Sequence, residues 1–210
     1  MGAVKQLTRS TLALGARALS ATDPDLAAIV RRHGVPPFWG RRPGFQTLIR
    51  IILEQQVSLA AARTMYRRLA HHAGAVSPES LLRLGVPGLR ALGFTGQKAA
   101  YCVHLAEAIH AGRLDLTAVA GAEVEAGRRM LLQMRGLGPW SVDIYFLMAL
   151  RRPDVWPHED LALADAVHRV KRLRRRPDHN ALTLLARQWA PWRSVAARIL
   201  WQDYLSRKAR

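Results

Sequence analysis

The sequence has a single cysteine, Cys102, in 210 residues. One thiol excludes an intramolecular disulfide framework, a zinc ribbon and a cysteine-ligated iron–sulfur cluster, and it points to a reducing, intracellular setting. Lysine is also scarce: Lys5, Lys98, Lys171 and Lys208 are the full set. No apolar run approaches the ~18 residues of a membrane span. The N-terminal run from Leu12 to Ala21 is interrupted by Arg17, a poor signal peptide, and position 6 is Gln, not the Ser or Thr of a myristoylation signal. No stretch alternates with period two and β-branched enrichment, and no internal repeat is visible, so strands and solenoids are not expected.

What the chain does carry is positive charge. Lys plus Arg number 32 against 15 Asp plus Glu, a formal +17. Such a surplus permits a polyanionic partner, most simply nucleic acid. It also fits an arginine-rich composition with no such meaning. The densest basic run, Arg169 to Pro177, reads equally as a solvated helix end or as a DNA-facing surface.

Apolar spacing predicts helices nearly throughout. Phe45, Leu48, Ile49, Ile52 and Leu53 mark one helical face. Ser58 is placed to cap a second helix with Leu59, Ala62, Met65 and Leu69 inward. Ser77-Pro78 reads as N-cap and first position of a short helix. Thr95 caps a longer one carrying Cys102, Val103, Ala106 and Ile109, ended by Gly112. Further helices are expected up to Met134, from Pro139, and over Asn180–Leu205 with a break at Pro191.

Between two of these lies Met134-Arg135-Gly136-Leu137-Gly138-Pro139-Trp140-Ser141. Two glycines two apart permit a tight turn and close approach to a partner, and Pro139 suits the first helical position. Leu137 would plug back into the helix pair. The following helix start is an anion site in principle, the arrangement a helix-hairpin-helix uses to grip a DNA phosphate without reading sequence. Most such Gly-x-Gly turns are only turns. Further along, Val155-Trp156-Pro157-His158-Glu159-Asp160-Leu161-Ala162-Leu163 places Asp160 as an N-cap, and Leu163 provides no capping box.

Taken in order, these segments resemble the helix-hairpin-helix DNA glycosylases, most closely the alkylpurine (3-methyladenine II) branch, over roughly residues 38–205. Phe45 to Ser58, with Gln55-x-Val57-Ser58, resembles the opening helix and turn. Leu89 to Gly93, Lys98-Ala-Ala and Leu114 resemble the middle. Gly136-x-Gly-Pro-Trp140 and Asp160-Leu-x-Leu resemble the hairpin and its acid, and Pro191-Trp192-Arg193-Ser194-x-Ala196 to Trp201 the C-terminal signature.

The resemblance implies an all-α, two-lobed fold with the active-site cleft between lobes and no N-terminal β domain. One lobe would span 40–149, with the hairpin at about 134–140. The other would comprise 1–39 plus 150–210. Asp160 would be the catalytic acid, stabilising oxocarbenium character on the sugar and directing water. Asp143, Asp154, Glu159 and Asp165 are the rivals. Gln56 would be the wedge filling the gap left by a flipped base, unless it merely ends a helix by hydrogen bonding. Glu54 stands where relatives carry Gly. Trp140 and Trp201 would stack on the base, with Trp39 and Phe38 at the rim, and Trp192 in the core. Arg135, Gly136, Leu137 and Gly138 would hold phosphate. Ile144 replaces a Tyr known in one relative.

Relatives that nick the strand place a Lys where this chain has Trp140, and none of the four Lys residues is expected near the hairpin, so hydrolysis without lyase activity is expected. The leading function is excision of 3-methyladenine and 7-methylguanine from double-stranded DNA, leaving an abasic site. The alternatives are uracil, hypoxanthine or an oxidised base as target, or a non-catalytic damage binder. No cofactor is required. A structural Na+ or K+ on the carbonyls of Leu132, Met134 and Leu137 is implied by the family. His158 with His168, and His71-His72, lack ligand spacing. The expected protein is a monomer without membrane association, cytoplasmic and nucleoid-associated in a bacterium.

Overall fold

A computed structural model describes residues 6–208. In chain order the α-helices are α1 (Arg9–Thr22), α2 (Pro24–His33), α3 (Phe45–Glu54), α4 (Leu59–Ala73), α5 (Pro78–Ala91), α6 (Gly96–His110), α7 (Leu116–Gly121), α8 (Val124–Leu132), α9 (Pro139–Ile144), α10 (Leu161–Val170), α11 (His179–Ala186) and α12 (Arg193–Lys208). A π-helical turn follows α9 over Tyr145–Ala149, and a 3-10 turn, Arg187–Trp189, precedes α12. Among the described residues there is no strand. The fold is all-α.

The chain divides into two compact units. One holds the residues up to Gly40 and from Phe146 onward, the other Arg41–Tyr145. The sequence expectation set the second boundary at 149/150. The earlier division has a local cause: the Phe146 carbonyl accepts the Arg152 N–H at 3.0 Å, and the Leu147 carbonyl accepts from Arg198 at 2.9 Å.

In the unit 41–145, α3 is the central element. Its apolar face is wider than the five spaced residues suggest, because Ile51 is fully buried beside Leu48, Ile49, Ile52 and Leu53. Each such side chain removed from water is worth about 1.5–3 kcal/mol. Helices α4, α6 and α9 pack on α3, and α5 packs along α6. The expected caps form: Ser58 accepts from Ala61, Ser77 from Ser80 and Thr95 from Lys98. One reading changes: of the residues expected inward on α4, Ala62 and Leu69 are buried, but Leu59, at the first position of the helix, is 49% exposed. The helix from Pro78 is short, as its start suggested: it ends at Gly85, whose φ of +58 is non-helical, and a second helical segment continues α5 to Ala91.

In the other unit α12 packs on α1, α2 and α10. A buried polar knot centres on Asp23, the N-cap of α2. Its carboxylate accepts from Lys171 (2.8 Å to both oxygens) and from the Trp189 indole (2.8 Å). The basic run is therefore partly structural. Lys171 pairs with Asp23 and Asp25, Arg169 with Asp203 and Arg176 with Asp165, while Arg174 and Arg175 are exposed.

Candidate active site

Asp160 ends an extended stretch and caps α10. Its Oδ1 accepts the Leu163 N–H at 2.9 Å and the Trp201 indole N–H at 3.3 Å. Two donors on one oxygen fix the orientation of the carboxylate. The residue is 7% exposed, yet it borders an open cavity of about 550 Å³ shared with Glu159, Leu161, Arg176, His179 and Leu182. The cap role and a chemical role are thus both open to the same side chain.

The stretch ahead of Asp160 is held by the start of α12, which explains the Pro-Trp-Arg-Ser motif physically. Arg193 pairs with Asp154 at 2.7 Å. Ser194 Oγ accepts the Val155 N–H and donates to the Val155 carbonyl, both at 3.0 Å, and Ser194 N–H donates to the Pro153 carbonyl at 3.0 Å. Trp192 is core, packed so closely against Gly15 that a Cβ there would lie 2.7 Å from its ring.

The rival acids are accounted for. Asp143 is buried against Arg128, Asp154 is held by Arg193, and Asp165 pairs with Arg176. Glu159 is exposed, at φ +49, on the rim of the cavity.

Phe38 and Trp39 are half-buried, Trp39 at φ +38. The Phe38 backbone is held by a residue that sequence reasoning missed. Arg198 is fully buried and donates to the carbonyls of Phe38 (3.3 Å), Ser194 (3.0 Å) and Leu147 (2.9 Å). Burial pulls its guanidinium down to about 10, which leaves it charged at neutral pH. No local signal marks it, since its partners lie on three separate segments.

The hairpin belongs to the other unit. The Leu137 N–H donates to the Met134 carbonyl at 3.0 Å, and Leu137 is 3% exposed, plugged inward as its position suggested. Gly136 has φ +92, and any Cβ there would collide with the Tyr101 ring. Gly138, the N-cap of α9, is different: a Cβ would meet nothing within 4 Å. Arg135 is exposed and Trp140 half-buried.

Gln56 is exposed at φ +55 in the turn between α3 and α4. Its neighbour Gln55 faces the hairpin, donating through Nε2 to the Gly136 carbonyl and to Ser141 Oγ, both at 2.8 Å. Glu54 is paired with Arg41 at 2.9 Å. Lys98 is buried and donates to the carbonyls of Leu53 (2.7 Å) and Gln55 (2.9 Å). The expectation that no Lys is near the hairpin is therefore corrected: Lys98 stands one residue removed from it, through Gln55. A signal existed: Lys98 shares a helical face with buried Cys102 and Leu105. The Cys102 thiol is pushed up to about 12 by burial, so it is inert core. Among the described residues no group of His, Cys, Asp and Glu is arranged to hold a metal ion. His158 lies against His179 with ring centroids 3.5 Å apart, rather than near any ligand set.

Helices on both sides of a Gly-x-Gly turn, and a capped Asp beyond it, define a helix-hairpin-helix protein. Residues 49–191 match the HhH-GPD superfamily of base excision DNA repair proteins, and the chain belongs to that family. It is similar to the DNA-3-methyladenine glycosylase of Bacillus subtilis, with 24% identity over 170 residues, covering 75% of this chain and 56% of the relative. It spans 65% of a second relative from the same organism. Among solved structures, it resembles a DNA-3-methyladenine glycosidase from Bacillus halodurans (TM-score 0.80, 27% identity, 93% and 91% of the two chains). It also resembles the 3-methyladenine DNA glycosylase of Schizosaccharomyces pombe in complex with abasic DNA (TM-score 0.78, 25% identity, 90% and 95%).

Proposed function

We propose that the chain is a monofunctional DNA glycosylase that hydrolyses the N-glycosidic bond of alkylated purines, 3-methyladenine and 7-methylguanine, in duplex DNA. The observation that carries this reading is the Asp160 carboxylate, fixed by Leu163 and Trp201 at the edge of an open cavity. It is supported by relatives named as 3-methyladenine glycosylases.

The chemistry follows from charge. As the base departs, positive charge grows on C1′ and its ring oxygen. A preoriented carboxylate beside it stabilises that charge and takes a proton from the attacking water. The base leaves with the bonding pair, water's oxygen bonds to C1′, and an abasic sugar remains. An alkylated purine is already cationic, so its bond is weak. An aromatic face favours a cationic base by roughly 0.5–2 kcal/mol; the candidates for that role are Trp201, Phe38 and Trp39 in one unit and Trp140 in the other. Gln56, exposed at φ +55 in the turn after α3, would occupy the vacated stack. Arg135 and the turn Gly136-Leu137-Gly138 would meet the phosphates.

Strand cleavage would need an accessible amine. Lys98 is engaged by two carbonyls, Lys171 by two carboxylates, and Lys208 lies over the Tyr204 ring near the end of α12; Lys5 lies outside the described residues.

A monovalent cation would be held by the carbonyls of Leu132, Met134 and Leu137. The fit is one of donor chemistry: these are neutral hard oxygens, and the Met134 oxygen, already accepting from Leu137, keeps a second lone pair. Such an ion would stiffen the turn. We expect the enzyme to act as a monomer. Among the described residues no helix is long and apolar enough to cross a membrane.

The test is base release from methylated duplex DNA, with freed bases resolved chromatographically. Release of uracil, hypoxanthine or an oxidised base instead would replace the substrate class. Tight binding to abasic DNA with no release from any substrate would make the chain a damage binder.

A further inference from the structure

The end of α3 is unusual. A helix C-terminus is commonly closed by a glycine that lets terminal carbonyls find partners. Here Gln55 follows Glu54 in extended geometry, and the carbonyls of Leu53 and Gln55 converge on the Lys98 ammonium at 2.7 and 2.9 Å. Lys98 is 8% exposed, and among the described residues no carboxylate pairs with it. Burial lowers its pKa, with no full compensation from its surroundings. An apolar residue at this face of α6 would avoid that cost. What the ammonium supplies is a fixed path for the chain between α3 and Gln56, with its charge at the negative end of the α3 dipole.

The same turn is tied on its other side. Gln55 reaches the Gly136 carbonyl and Ser141 Oγ, at the hairpin bend and the first turn of α9. Gln55 is thus held twice, by its carbonyl to Lys98 and by its amide to the hairpin. Gln56, the next residue, is exposed in the left-handed region at φ +55, a conformation a non-glycine residue keeps only when its surroundings enforce it.

We infer that Lys98 and Gln55 form a clamp that fixes the Gln56 turn to the phosphate-binding hairpin, so that gripping the backbone and entering the base stack occur as one rigid movement. This rests on the reading of Gln56 as the inserted side chain. Lys98 does not touch the substrate; it is a positioning residue acting through Gln56. The clamp also accounts for a Lys beside the hairpin that performs no amine chemistry.

The experiment uses a duplex with 2-aminopurine next to a stable abasic analogue. Its fluorescence rises when a side chain unstacks the neighbouring base, and the readout needs no bond cleavage. Wild-type protein should give a clear rise. Gln56→Ala should lose most of it, and Lys98→Met should lose about as much. The Lys98→Met, Gln56→Ala double variant should be no worse than Gln56→Ala alone, within about twofold, because residues acting through one another do not add. A general packing defect would instead add the two losses. Lys98→Arg, which keeps a donor to the carbonyls, should recover part of the signal. Duplex affinity by anisotropy and helix content by circular dichroism accompany each variant. Should Lys98→Met fail to fold, Gln55→Ala severs the hairpin tie from a half-buried position and must show the same non-additivity with Gln56→Ala. A full rise in Lys98→Met, or in Gln55→Ala if that variant stands in, overturns the clamp, as do additive losses or a wild-type protein giving no rise. Asp160→Asn should keep the rise and lose base release. Failure of the glycosidase reading would therefore show in the released bases alone, and failure of the clamp in the fluorescence.

Discussion

The Trp201 indole donates its N–H to Oδ1 of Asp160 at 3.3 Å, joining α12 to the cap of α10. Trp201 is 8% exposed, and in this structure its indole N–H serves to orient the carboxylate. Trp201→Phe removes the donor and retains most of the ring. Single-turnover excision should slow about three- to tenfold, equivalent to ~1 kcal/mol for one hydrogen bond, measured well below the melting temperature, which the smaller buried ring also lowers. An unaltered rate would show that the indole N–H does not serve the acid.

Gly136 tolerates no side chain, for two separate reasons: its φ of +92 and the Tyr101 ring against it. Gly136→Ala should lower unfolding stability by roughly 1–3 kcal/mol and weaken duplex binding, measured by denaturant titration and anisotropy. Gly138→Ala, where a Cβ meets no atom within 4 Å of the protein, should leave stability nearly unchanged. If it also weakens binding, the cause is contact with DNA rather than folding.

Burial alone would raise the Asp23 carboxyl, but hydrogen bonds from Lys171, Trp189 and the Leu26 N–H outweigh it and hold it below the ordinary 3.8. A depressed carboxyl contributes stability that is present above the unfolded value and is lost as pH falls through the folded one. The wild-type protein should therefore lose stability progressively below about pH 4. Asp23→Asn should cost roughly 3 kcal/mol at neutral pH, the penalty for breaking a buried pair, and should flatten the acid limb. Lys171 works in the other direction: burial opposes its charge, Asp23 and Asp25 more than restore it, and its share is lost only above its ordinary 10.5.

Much of this fold was legible locally. Caps at Ser58, Ser77, Thr95 and Asp160 and the glycines of the hairpin act within a few residues, and those signals are written in sequence order. Leu59 misled because it is apolar at an inward-looking spacing yet faces water. The partners in the polar ties were invisible for another reason, even where, as for Lys98, burial itself was signalled. Lys98 to Leu53, Trp189 to Asp23 and Arg198 to Phe38 each join residues tens to more than a hundred positions apart, and nothing in a residue's own neighbourhood names such a partner. The basic run shows the same limit: half of its charges are spent on Asp23, Asp25, Asp165 and Asp203.

Hydrolysis without lyase chemistry makes a sharp forecast. Borohydride added during turnover should trap no protein–DNA adduct, and the product strand should break only after alkali. A trapped adduct in wild-type protein that disappears in Lys98→Met would assign Lys98 an amine role despite its two carbonyl partners.

The most direct test of the account is chromatography of bases released from methylated duplex DNA by the wild-type protein and by Asp160→Asn. The substitution preserves size and the capping acceptor and removes the charge. The wild-type protein should release 3-methyladenine and 7-methylguanine, and the variant about 10²-fold less or lower still. Equal release by a folded Asp160→Asn protein would contradict the account.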